Sequence, residues 1–308
     1  MDAADSARPM RIALSGSTGL VGAALGEALR REGREVWPIV RRATKDGRSI
    51  HWDTELSRFD AEALGTCDAV VHLAGEPIVG RWTEEKKRRV RASRVDSTEA
   101  LARTLASLDD GPRTLVCASA IGFYGDTGQG EAVDEDHGPG SDFLAEVCLA
   151  WERATDAARD GGVRVVNVRI GIVLSRRGGA LAAMLTPFGL GLGGPLGKGD
   201  QWMSVIGLHD LVRVFEFALD TPTLTGPVNA VAPEPVRNRD FSHALGRALH
   251  RPTLLRIPSF APKLLFGKES AQALALGSVR ALPERLVAAG FAFEYGSLDA
   301  AMQHALAP

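Results

Sequence analysis

The sequence predicts an α/β protein built on a doubly wound parallel sheet, with a smaller α/β lobe in its C-terminal part. Three observations carry that expectation. From Arg11 to about Val173, short β-branched apolar runs alternate with longer segments of helical period, the pattern of a parallel sheet covered on both faces. A glycine pattern stands at the first strand-to-helix junction. After Val173 the character changes, and the run GLGLGGPLGKGD at 189–200 reads as an extended loop that neither a helix nor a central strand tolerates.

The predicted strands of the sheet are 12–15, 36–40, 50–52, 69–73, 114–119 and 163–169. Phe143, Val147, Ala150, Trp151, Ala154 and Ala158 recur at three and four residues and predict one crossover helix. Trp151 then faces either a core or a helix-paired partner, so the chain is expected to be a monomer or a homodimer. Beyond the loop, strands are expected at 228–231, which the sheet can gain, and at 253–257. Asn238 is expected to cap a helix over 239–250, and Asp210 one over 211–219. The resulting division is a loose leader at 1–9, a nucleotide-binding domain at 10–175 and a substrate-side region at 176–308.

Composition bounds the function. Hydrophobic residues make up 45% and charged residues 24%, the balance of an ordinary globular protein. A net charge of -2 supplies no global field for nucleic acid or anionic membrane. Cys67, Cys117 and Cys148 match neither a disulfide framework nor a zinc pattern, so no metal is expected and a reducing, cytoplasmic setting fits. The leader lacks the apolar core of a signal peptide, and no stretch approaches the roughly 20 apolar residues of a membrane span.

The glycine pattern is Gly16-Ser17-Thr18-Gly19-Leu20-Val21-Gly22. In such a pattern the first glycine permits the tight turn, the second lets the backbone approach a pyrophosphate, and the third allows close helix-to-strand packing. Free amides at the helix start then hold the phosphates. Three glycines alone make only a loop, but the strand before, the helix after and the continuing alternation point to a dinucleotide. The second strand runs into Arg41 and Arg42, where an acidic residue would bind the ribose of NAD(H). Two guanidiniums there either form a solvated basic loop or grip a 2′-phosphate. The position favours the phosphate, and with it NADP(H) over NAD(H).

Taken together, SGSTGLVG at 15–22, VRR at 40–42, HLAGE at 72–76, RWTEEKKRRVRASRVDST at 81–98, ASAIGFYGD at 118–126, DFLAEVCLAWE at 142–152 and RIGIVLSRRGGAL at 169–181 form an ordered series. It continues through PFGLGLGGPLGKGDQWMS at 187–204, GPVNAVAPEPV at 226–236 and LPERLVAAGF at 282–291. This series resembles an atypical extended short-chain dehydrogenase/reductase of the epimerase-like kind. The resemblance implies a Rossmann fold, with His72, Leu73, Ala74 and Gly75 along the ribose and phosphates, Arg94 near the cofactor, and Ile172 and Val173 against the nicotinamide. His72 in an apolar strand is also what a satisfied core histidine looks like, and Arg94 what one more solvated charge looks like.

The departure from the family lies in its proton chemistry. Typical members carry a tyrosine four residues before a lysine, but Tyr124 is followed at that distance by Gly128 and Tyr295 by Asp299. Alignment through Trp151 and Glu152 puts Leu144 and Cys148 at those positions. Ser119, also placed against the cofactor, and Tyr124 remain as candidate catalytic residues, with Ala120 at the usual hydroxyl position. The expected function is an NADP(H)-dependent oxidoreductase or epimerase acting on a small molecule in the interlobe cleft. A non-catalytic NADP(H)-binding or sensing protein is the alternative.

Overall fold

The computed structural model describes residues 8–42 and 47–307. An eight-stranded sheet organises the chain. Its strands are β1 (Arg11–Ser15), β2 (Glu35–Val40), β3 (Ile50–Asp53), β4 (Arg58–Phe59), β5 (Ala69–His72), β6 (Thr114–Ala120), β7 (Arg164–Ile170) and, late in the chain, β11 (Gly226–Ala230). The spatial order is β11-β7-β6-β5-β1-β2-β3-β4. All neighbours run parallel except β3 and β4, which pair Trp52 with Phe59 in antiparallel register. The order reverses between β1 and β5, and at such a switch point the loops beyond the strand ends diverge to leave a crevice.

Helices cover both faces. On one, α1 (Leu20–Arg31) and α7 (Leu208–Asp220) bury Leu25, Leu29, Leu211 and Phe215 against Ile12, Leu14, Val166 and Val168. On the other lie α2 (Ala61–Gly65), α3 (Glu84–Ala106), α4 (Phe143–Arg153) and α5 (Asp156–Asp160), with Leu101, Leu105, Trp151 and Ala158 on Ala13, Val70, Leu115 and Val165. The single crossover helix expected over 143–158 is thus two helices, α4 and α5. Trp151 faces the core, and its Nε1 donates to Thr98 Oγ1 at 3.0 Å.

A separate apolar cluster lies beyond β7. It is built from β8 (Ile172–Leu174), α6 (Gly179–Gly189), β9 (Trp202–Met203), β10 (Val205–Gly207), β12 (Val236–Arg237), α8 (Asn238–Ala248) and, after the short α9 (Phe260–Phe266), α10 (Lys268–Ala271) and α11 (Glu284–Ala288), from α12 (Leu298–Leu306). β11 leaves this region and pairs with β7, so the sheet does gain the late strand.

Three local expectations give way to tertiary contacts. Helix α8 starts at Asn238 itself, whose side-chain oxygen accepts from the Leu196 amide at 2.8 Å instead of capping the helix. Asp210 lies inside α7, buried, and accepts from the amides of Glu294 and Tyr295 at 3.0 and 2.9 Å. The segment 253–257 is no strand: only Ile257 bridges, to Leu196, between two prolines that remove ladder donors. Of the predicted leader, Arg8 is held by Asp68 through two hydrogen bonds of 2.8 and 2.9 Å, while residues 1–7 lie outside the described chain. Among the described residues no helix is long and apolar enough to cross a membrane.

Candidate functional site

At the switch point the chain leaves β1 through Gly16, whose φ of +65° suits glycine. A Cβ on Gly16 would stand 2.9 Å from the Leu73 carbonyl, at the end of β5. The Gly16 carbonyl accepts from the Gly19 amide at 2.9 Å, and Gly19 caps α1 with no side chain of its own. Gly22 packs so closely under this turn that a Cβ would meet the Gly16 oxygen at 2.2 Å. At Gly19, by contrast, an added Cβ would meet only that same oxygen, at 3.3 Å, and otherwise faces open space. Ser17 and Thr18 are half-buried and exposed, Leu20 and Val21 half-buried. The loop therefore presents the start of α1 to the crevice with no Cβ at Gly19, which is what an approaching pyrophosphate needs.

The partner strand is fixed by a chain that runs inward. Ser15 Oγ accepts from the amides of Leu73 and Ala74 at 2.9 and 3.1 Å. With both acceptor positions filled, its proton goes to His72 Nδ1 at 2.9 Å, so the His72 proton sits on Nε2 and is donated to Ser97 Oγ at 3.2 Å. Ser97 in turn donates to the Ser93 carbonyl at 2.8 Å. Complete burial pushes the His72 imidazole down to about 4, and the ring is neutral. His72 thus ties β1, β5 and α3 together, and its side chain does not face the crevice. Leu73, Ala74 and Gly75 continue along the edge.

Arg94 supports the same edge. Its Nη1 donates to the Glu76 carbonyl at 3.0 Å, and its guanidinium lies against Gly75, where a Cβ would come within 3.2 Å of Cζ. Trp151 packs 5.2 Å from it, and burial pulls its pKa down. All its side-chain hydrogen bonds within the described residues come from Nη1, which leaves Nη2 and Nε for another acceptor. Arg41 and Arg42 are exposed just past β2. The register pairs Ser15 with Ile39, so Arg41 lies two residues beyond the level of Ser15, where β1 ends and the glycine loop follows.

At the far end of the crevice, beyond β6 and β7, the polar groups form a closed network. Arg169 donates from Nε and Nη2 to the two carboxylate oxygens of Glu152 at 2.8 and 2.9 Å, with 4% and 11% of the two side chains exposed. Ser119 Oγ donates to the same carboxylate at 2.7 Å. Arg169 Nη1 donates to the Tyr124 hydroxyl at 2.9 Å, whose own proton lies between the Asp134 carbonyl and Asn229 Oδ1, each 2.8 Å away. The Asn229 amide reaches Glu135, a carboxyl that burial pushes up. Burial also pushes the Tyr124 phenol up to about 12, although Arg169 opposes it.

A family model described as the NAD dependent epimerase/dehydratase family matches residues 12–230. The chain belongs to that family. A second model, a domain of unknown function named DUF1731, matches residues 257–305. Among relatives of this family, the epimerase family protein Mb2239 of Mycobacterium bovis is 44% identical over 295 residues, covering 96% of this chain and 97% of that protein. The crystal structure of human epimerase family protein SDR39U1 (isoform 2) with NADPH superposes with a TM-score of 0.87 at 34% identity, covering 96% of this chain and 98% of that one. A nucleoside-diphosphate sugar epimerase from Corynebacterium glutamicum gives 0.80 at 37% identity, covering 97% of this chain and 58% of that one. The Rossmann-like α/β architecture is shared with these structures.

Within this epimerase-family frame, the two candidate catalytic residues meet each other in the Glu152–Arg169 network at the far end of the crevice. A phenol pushed up to about 12 with its hydroxyl bonded on every side is the opposite of a tyrosine poised to exchange a proton. Leu144 and Cys148 lie on α4 facing Gly122 after β6, and the buried Cys148 thiol is pushed up to about 12 by burial, out of reach of thiolate chemistry at neutral pH. Ile172 and Val173 lie in β8, paired with Val205 and Ile206, and the Ile172 amide donates to the Ser204 carbonyl at 2.9 Å.

Residues that local patterns did not single out complete the frame. Ser15, Ser93 and Ser97 are identified only by their distant partners. Gly178 and Gly179, inside the RRGG stretch, lie beside the start of α1, where a Cβ on either would come within 3.6 Å of the Leu20 side chain.

Proposed function

We propose that this protein binds NADP(H) in the crevice at the β1–β5 switch point and uses it as an oxidoreductase or epimerase on a small molecule held between the 10–175 and 176–308 portions of the chain. The glycine loop with the helix start behind it would hold the pyrophosphate, Leu73 to Gly75 and Arg94 would border the ribose side, and Arg41 and Arg42 would take the 2′-phosphate. The cofactor, when bound, supplies hydride chemistry. The observation that carries the reading is the open space at Gly19 between Gly16, packed against the end of β5, and Gly22, packed against the turn's own backbone. The NADPH in the crystal structure of human SDR39U1 supports the choice of cofactor.

A second reading, an NADP(H)-binding sensor that turns nothing over, draws on the saturated Tyr124 hydroxyl and the buried Cys148 thiol. Native mass spectrometry of the NADPH-loaded protein in a mixture of small metabolites separates the two. Turnover predicts a second small molecule retained beside the dinucleotide, and its redox or epimer partner appearing with time. Dinucleotide alone under every condition would favour the sensor, and no bound dinucleotide would overturn both.

A further inference from the structure

Beyond β7 lies a group of donors with no hydrogen-bond partner among the described residues. Of the six buried side-chain polar atoms without a partner among the described residues, three fall here: Gln201 Nε2, Trp202 Nε1 and Arg280 Nε. All three are donors. Two guanidiniums lie over the Trp202 ring, Arg237 with its Cζ 3.6 Å from the centroid and Arg280 at 4.7 Å. They differ in what else they touch. Arg237 donates to Gln129 and to the Asp200 carbonyl, whereas the Arg280 side chain has no hydrogen-bond or ion-pair partner among the described residues.

This is not a loose surface arginine. The Arg280 backbone is held on both sides: Val133 donates to its carbonyl at 2.8 Å, and the neighbouring Ala281 amide donates to Ser204 Oγ at 2.9 Å. Ser204 also donates to the Val279 carbonyl, and its own carbonyl accepts from Ile172. Arg280 is therefore tied through Ser204 to β8, the strand that carries Ile172 and Val173, which the family resemblance sets against the nicotinamide. Only its Nε is sealed from solvent without a partner, so its terminal nitrogens remain accessible. Partly burying a guanidinium without a counter-charge is costly, and an aromatic face offsets only part of that cost.

We infer that the substrate carries an anionic group, a carboxylate or phosphate, which docks on Arg280 beside the Trp202 indole. This deepens the proposed function and rests on it, since it names the class of molecule that meets the cofactor's reactive end. A fork of donors with no partner among the described residues matches the oxygens of such a group, and the orphan donors of Gln201 and Trp202 bias the same region toward acceptors.

The test is calorimetric titration of NADPH-saturated protein with inorganic phosphate and with sodium acetate, at constant ionic strength set by sodium chloride. Saturating the cofactor site keeps phosphate off the glycine loop. At least one of the two anions is expected to bind the wild type, Arg280→Met to weaken it roughly tenfold to a hundredfold, and Arg280→Lys to keep part of the affinity. NADPH affinity should stay within about twofold in both variants, which also reports that they are folded. No heat from either anion with wild type, or equal binding by Arg280→Met, would overturn the inference. If the wild type failed to bind NADPH, the proposed function would fall instead, and the same titration on unloaded protein would still decide whether Arg280 holds an anion.

Discussion

The two ends of the crevice are built by different means. At the β1–β5 end the chain shapes a cradle from backbone, with glycines where side chains would collide and a neutral Ser15–His72–Ser97 relay holding the strands in place. At the β6–β7 end a buried ion pair, Glu152 with Arg169, organises Ser119, Tyr124 and Asn229. The first end leaves its amides open to a ligand, while the second uses nearly every polar group on itself. The glycine-loop end is thus preorganised by backbone geometry, and the polar residues beyond β6 hold one another in place.

Breaking the first end should cost binding and not folding. Gly19→Val places a side chain in the one open position of the loop, so NADPH affinity should fall by more than about a hundredfold while the melting temperature stays close to wild type. Calorimetric binding at wild-type affinity would remove the loop from the site.

Breaking the second end should do the reverse. Arg169→Met strands Glu152 in the interior, and losing one partner of a buried pair costs roughly 3–5 kcal/mol. For a chain of this length that lowers the melting temperature by about 5–8 °C. NADPH affinity of the folded fraction should change little. A variant with unaltered stability would show that the pair is not the organiser of that end.

The relay at the first end should leave a mark in pH. The His72 imidazole is held down to about 4 in the folded chain against an ordinary value of 6.5. Between these values the unfolded state binds the additional proton, so stability is complete above pH 6.5 and lost progressively as pH falls toward 4, by roughly 3 kcal/mol in total. Compared with His72→Gln, the wild type should lose its stability advantage across that window, as read by urea unfolding at a series of pH values. A constant difference between the two proteins would mean that the histidine is not buried neutral.

The same contrast explains what the sequence made legible. Strand periodicity and the Gly16–Gly22 pattern are local, because a tight turn and a close helix approach demand particular residues at fixed spacing. The sheet strands through β7 follow the sequence reading within a residue or two, except β4, which is only two residues long. Side-chain pairings across long separations leave no such trace. Asn238 and Asp210 look like helix caps from their neighbours, yet each bonds an amide tens of residues away. Tyr124 looks like a catalytic candidate from its place after β6, but Arg169 and Asn229, 45 and 105 residues further on, occupy its hydroxyl. Nothing around 119–124 announces those partners.

The most direct test of the cofactor site is the choice between dinucleotides at Arg41 and Arg42, the exposed pair at the end of β2. Paired fluorescence titrations with NADPH and NADH, on wild type, each single alanine variant and the double variant, measure it. A hydrogen bond to a charged group contributes roughly 1.5–3 kcal/mol, so losing one such contact should weaken NADPH about tenfold to a hundredfold and leave NADH unchanged. Wild type is expected to prefer NADPH, and the double alanine variant to show no preference. Equal wild-type affinities, or a double variant that still prefers NADPH, would contradict the assignment.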